Sequence, residues 1–121
     1  MPLNVLVIED DADAMNLVVT LVEQFGHTAY TAENGEVALD MLEQYDFDAF
    51  VVDIALPGID GWGIIQAIRR NPVTAQTPSI AITAFHDSAV EERALSAGFD
   101  AYFPKPFEPM EFIRQLESHV G

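Results

Sequence analysis

Four short apolar runs in this chain end on residues that can do chemistry. LNVLVI, residues 3–8, is followed by Glu9, Asp10 and Asp11. AFVV, residues 49–52, delivers Asp53. SIAI, residues 79–82, leads to Thr83 and Ala84, and AYF, residues 101–103, leads through Pro104 to Lys105. Crowded carboxylates repel, and one takes up a proton unless a cation intervenes. A hard divalent ion fits: Mg²⁺ takes one or two carboxylates, several waters and a phosphate oxygen. Asp10 and Asp53 suit direct ligation, Glu9 suits a coordinated water, Lys105 adds a mobile charge, and Thr83 a hydroxyl. That set matches phosphoryl transfer, where positioning and charge stabilisation dominate. The nucleophile would be a carboxylate, and Asp53 is the best placed. Each piece alone is unspecific. Asp11 and Asp13 read first as caps and charges at a helix start, Thr83 reads equally as a strand-end threonine, and Lys105 alone reads as a surface lysine.

The elements that must position these groups follow from periodicity. Strands are expected at Leu3–Ile8, Thr28–Thr31, Ala49–Val52, Ser79–Ile82 and Ala101–Phe103. Helices are expected at Ala14–Phe25, Gly35–Tyr45, Gly61–Arg70, Ser88–Ala97 and from Pro109 to about Val120. In the first helix Leu17, Val18, Leu21, Val22 and Phe25 share a face, and Gly26 is the stop. In the second, Val37, Ala38, Met41, Leu42 and Tyr45 do. Asp60 caps the third helix, which ends on two arginines where the dipole favours cations. Gly98 stops the fourth, and a Pro57-Gly58 turn follows Asp53. Strict alternation implies an α/β fold: a doubly wound, five-stranded parallel sheet of order 2-1-3-4-5 with helices on both faces. Ligands then bind beyond the carboxyl ends of the strands. The first and third strands become neighbours, so Asp10 and Asp53 should approach.

Composition narrows the function. The 121 residues suffice for one core, so residues 1–121 read as a single unit. Half of them are hydrophobic, which favours a folded globule over a disordered tail. No cysteine is present, which removes disulfides and thiol chemistry. Twenty acids against five bases give a net charge of −15, which repels nucleic acid and anionic lipid. No apolar run is long enough to span a membrane, and MPLNVLVIED lacks the basic start of a secretory signal. A cytoplasmic location is the expectation.

The chain resembles a response-regulator receiver domain, the phosphoacceptor module of two-component signalling, of the chemotaxis-regulator kind. The segments VLVIEDD, VVDIALPGIDGWGII, IAITAF and AYFPKPF carry the likeness, with the pattern DxxxPxxDG from Asp53 and the pair Lys105-Pro106. They span residues 3–120 in family order. The resemblance implies that Asp53 accepts a phosphoryl group from a sensor histidine kinase or phosphotransfer protein. It implies that Mg²⁺ (or Mn²⁺) sits on Asp10, Asp53 and the backbone carbonyl of Ala55, with Glu9 assisting through water. Thr83, Ala84 and Lys105 would contact the phosphoryl oxygens, Thr83 and Tyr102 would form the switch, and the Lys105-Pro106 bond would be cis. The fourth helix, fifth strand and fifth helix would face a downstream effector or, once phosphorylated, a second copy. The receiver would not be an enzyme in the usual sense, although it would assist its own phosphorylation and dephosphorylation.

Three positions depart from the pattern. Ala55 and Phe85, each two residues past a site residue, cannot orient a water, so slow loss of phosphate is expected. Pro104 has no N–H, which places the fifth strand at a sheet edge. His27, His86 and His119 read as surface imidazoles, Trp62 as packing, and Asn71–Pro78 as a loop. Two other classes fare worse. A flavin-binding carrier needs a glycine- and hydroxyl-rich phosphate loop where this chain has EDDADA. An aspartyl phosphatase needs a second acid at position 55. A calcium loop fails because Asn16 stands at the glycine position.

Overall fold

The computed structural model describes residues 2–56 and 58–120. Pro57 of the expected Pro-Gly turn lies outside them, and Gly58 has a φ of +71°. The elements run β1 (Asn4–Ile8), α1 (Ala12–Gln24), β2 (Thr28–Ala32), α2 (Gly35–Gln44), β3 (Ala49–Asp53), α3 (Gly61–Arg70), β4 (Ser79–Thr83), α4 (Ser88–Ala97), β5 (Ala101–Pro104) and α5 (Pro109–Val120). All pairings are parallel, and the order is β2-β1-β3-β4-β5.

The pleat sorts the core into two layers. Leu6, Ile8, Phe50, Val52, Ala81 and Tyr102 point toward α2, α3 and α4. Val5, Val7, Ala49, Val51, Ile80 and Ile82 point toward α1 and α5. Burial on both faces explains why β1, β3 and β4 read as unbroken apolar runs rather than alternating ones. The alternation also aims the chemistry. Asp53 continues the Ala49–Val51 side, and Glu9 continues the Val5–Val7 side. Since Ile8 pairs with Val52, the next step along the two chains sets Glu9 beside Asp53. Thr83 follows Ala81, on the same face as Tyr102 across the β4–β5 pair.

Caps fix the helix ends. Asp11, Asn34, Asp60 and Asp87 each accept a backbone N–H at their helix N-terminus. Asp11 starts α1 at Ala12, two residues earlier than periodicity suggested. Gly26, φ +84°, takes the left-handed position that ends α1. Gly61 is required by space: a Cβ there would lie 2.3 Å from the Cα of Ile54, so α3 can start directly against the segment after Asp53. The buried stripes are narrower than helical spacing predicts. In α1 only Val18, Leu21 and Val22 are buried, while Leu17 is 59% exposed and Phe25 lies beyond the helix. In α2, Val37 and Tyr45 are likewise exposed; Tyr45 caps the helix in an extended conformation, off the helical face.

Candidate functional site

Three acids and one lysine meet at the carboxyl ends of β1, β3 and β5. Carboxylate oxygens of Glu9, Asp10 and Asp53 all lie within 4.8 Å of one another. Glu9 and Asp53 are buried, and Asp10 is exposed. Lys105 reaches in from the loop after β5. Its Nζ donates to Glu9 Oε1 and lies 3.4 Å from Asp53 Oδ2. The other Asp53 oxygen, Oδ1, accepts the N–H of Ala55 at 2.9 Å. Glu9 Oε2 accepts the N–H of Asp11 at 3.2 Å. The Asp53 carboxylate is therefore held from both sides while its strand remains locked into the sheet, with the next N–H, that of Ile54, donating to Ile82 O at 3.1 Å.

Electrostatics follow from this crowding. Burial, then the hydrogen bond and charge of neighbouring Asp53, raise the Glu9 carboxyl to about 7, against a smaller opposite pull from Lys105. Burial alone would lower the Lys105 ammonium, but Glu9 and Asp53 outweigh it and raise the group above its ordinary value. Lys105 is thus firmly charged. The hard oxygen donors of Glu9, Asp10 and Asp53, crowded together beside one ammonium, fit a small divalent cation.

The rim is tied to the site through backbone. Lys105 N–H donates to Thr83 O at 2.7 Å, and Thr83 Oγ1 accepts the N–H of Phe85 at 3.0 Å. Thr83 is buried, whereas Ala84 and Phe85 are exposed on the loop to α4. The Lys105-Pro106 peptide is cis. Pro104 pairs opposite Thr83 on β5, an edge strand as its missing N–H requires.

A model of the response regulator receiver domain matches residues 5–117. The chain belongs to this receiver-domain family. The receiver is 32% identical over 121 residues to the polar-differentiation response regulator DivK of Brucella anthropi, covering 100% of this chain and 98% of that protein. A putative response regulator from Chloroflexus aurantiacus superposes with a TM-score of 0.94 at 29% identity, covering 99% of this chain and 98% of its own. The receiver domain of the sensor histidine kinase PA1611 from Pseudomonas aeruginosa superposes with a TM-score of 0.91 at 27% identity, covering 100% and 99%. That structure holds a magnesium ion in its active site cleft.

Of the residues singled out from the sequence, Glu9, Asp10, Asp53 and Lys105 converge in the receiver, with Ala55 and Thr83 adjoining. Tyr102 lies one strand away. Its ring is buried, and its hydroxyl lies 3.0 Å from His86 Nδ1. Burial and the charges of Glu91 and Asp87 raise the Tyr102 phenol, which keeps its proton. His86 is the surface imidazole expected, and its contact with the Tyr102 hydroxyl is what the sequence did not show. His27 is a correction. It is buried, its Nδ1 accepts the N–H of Leu3, and its Nε2 bonds Glu117 at 2.8 Å. His119 is likewise exposed, without a bond among the described residues.

Proposed function

We propose that Asp53 is the phosphoacceptor of a two-component phosphorelay and that residues 1–121 act as one receiver unit. The carrying observation is the convergence of Glu9, Asp10, Asp53 and Lys105. A sensor histidine kinase or phosphotransfer protein is the donor. An oxygen of Asp53 attacks phosphorus, the phosphorus–nitrogen bond of the donor phosphohistidine breaks, and the leaving imidazole takes up a proton. Asp10, Asp53 and the Ala55 carbonyl would hold Mg²⁺ or Mn²⁺, with Glu9 acting through water. The bound cation supplies charge neutralisation between the carboxylates and the incoming phosphoryl oxygens. Lys105 leaves Glu9 for a phosphoryl oxygen, and the N–H of Ala84 with the hydroxyl of Thr83 faces another.

An apolar groove of about 260 Å³ beside Lys105, lined by Leu17, Val18, Pro106 and Phe107, supports docking of a donor protein there. It also gives the exposed Leu17 a use. Phosphorylation adds charge at Asp53, and the response runs through Thr83 and Tyr102 to the surface of α4, β5 and α5. That surface meets a downstream effector or, in the phosphorylated state, a second copy. The receiver is a signalling domain that assists its own phosphorylation and slow dephosphorylation. Among the described residues no helix is long and apolar enough to cross a membrane, and the acidic surface argues against direct nucleic-acid binding. Incubation with acetyl phosphate should label the protein when Mg²⁺ is present and not when it is chelated. Labelling that is indifferent to chelation would overturn the metal assignment.

A further inference from the structure

Lys105 serves the site, and Arg114 pairs with Glu111 along α5 at 2.7 Å. The other three of the five basic side chains, Arg69, Arg70 and Arg93, line one open cleft of about 500 Å³ between α3 and α4, beside Trp62 and Ala97. None of its lining residues belongs to the carboxylate cluster. The ten residues of α3 include no acid, in a chain that has twenty.

The three arginines differ in what they are free to do. Arg69 is engaged: it donates to Gly98 O, Ala75 O and Thr77 O and pairs with Asp100 at 3.0 Å. It is a strut that fixes the C-terminal end of α3. Arg93 stands with its guanidinium 4.1 Å from the Trp62 ring centroid, and Trp62 is itself held edge-on to Phe99. Arg70 is exposed on the last turn of α3. Among the described residues neither Arg70 nor Arg93 has a carboxylate within 4.0 Å. The helix dipole accounts for a cation at position 70. It does not account for Arg93, which sits in the middle of α4. Solubility does not require it either, since the chain is strongly charged already.

A guanidinium is a fork matched to carboxylate or phosphate. The cleft is too open to enclose most of a small ligand, as small-molecule sites do. A long polyanion or an anionic membrane would meet the −15 body around the cleft. What fits is a short acidic segment. We propose that the α3–α4 cleft docks a segment of a partner protein in which Asp or Glu side chains engage Arg70 and Arg93 while an apolar side chain lies against Trp62 and Ala97.

Trp62 is the chain's one tryptophan, so its emission reports on the cleft directly. The probe is a synthetic peptide alternating Glu and Leu, with a Gln-for-Glu peptide as control. Saturable change in Trp62 emission is expected with the Glu peptide, weakened by salt and absent with the control. Arg70→Glu, which leaves the Arg93–Trp62 pair in place, should weaken binding roughly tenfold or more. Thermal unfolding of that variant establishes that it is folded. Asp53→Asn should titrate like the wild type, so the result stands apart from the phosphoacceptor reading. Equal binding of the Gln peptide, or indifference of folded Arg70→Glu, would overturn the proposal. Tighter binding of inorganic tripolyphosphate than of the Glu peptide would overturn it in favour of a phosphate ligand.

Discussion

At the scale of single residues, Glu9 and Ala55 set the behaviour of the site in different ways. Glu9 is a buried carboxyl raised to about 7 without a cation, against an ordinary value of 4.5. Between those values the folded chain keeps a proton that the unfolded chain has released. Stability in chelator should therefore be greatest, as far as this group contributes, below pH 4.5 and should fall as pH rises toward 7. Denaturant titrations of wild type and Glu9→Gln across that range test it: the variant should lose less stability over the interval, and parallel profiles would refute the assignment. Ala55 acts through what it lacks. It and Phe85, both exposed at the rim, offer no group to orient an attacking water. Ala55→Asn should shorten the lifetime of the phosphorylated protein by roughly tenfold, about 1.4 kcal/mol of barrier. The decay of acetyl-phosphate label after desalting measures it directly.

At the scale of elements, close packing behind β3 aims Asp53. Gly61→Ala would push a methyl into the Ile54 backbone. The variant should be destabilised by about 1–3 kcal/mol, the usual cost of overpacking, and phosphorylate more slowly because the segment after Asp53 must shift; chemical denaturation and labelling rates check both. The local signals for these elements were strong in the sequence. Asp60 and the arginines bounded α3, Gly98 bounded α4, and Pro109 opened α5, each by a cap or dipole effect confined to a few residues. The pleat and the alternation of elements carried the sheet order and brought Asp10, Asp53 and Lys105 to one end. What stayed hidden depends on contacts across the fold. His27 meets Glu117 ninety positions away, and His86 meets Tyr102 sixteen away across a loop. No periodicity marks such pairs. The same holds for Lys105 resting on Glu9, ninety-six positions apart. Helical spacing puts Leu17 on the same face as Val18, Leu21 and Val22, yet spacing cannot tell the edge of a buried stripe from an exposed groove wall.

At the scale of the whole molecule, charge dominates. A net −15 spread over a small fold disfavours the compact state through self-repulsion, and the carboxylate cluster concentrates that effect. A cation that binds only the folded chain should stabilise it by mass action. Millimolar Mg²⁺ should raise the melting temperature by several degrees beyond the effect of NaCl at equal ionic strength, and Asp10→Asn should remove most of the excess. Identical melting in both salts would contradict a specific site. The same charge arithmetic sets the Arg70–Arg93 cleft apart, since it gathers three of the five basic side chains in an acidic body.

On the proposed function, Asp53 and no neighbouring acid takes the phosphoryl group. The most direct measurement is mass-spectrometric mapping of the protein after reaction with acetyl phosphate and Mg²⁺, with Asp53→Asn run in parallel. A single adduct on the peptide containing Asp53, absent from the variant, is the predicted result. An adduct on the peptide containing Glu9, Asp10 and Asp11, or undiminished labelling of Asp53→Asn, would contradict it.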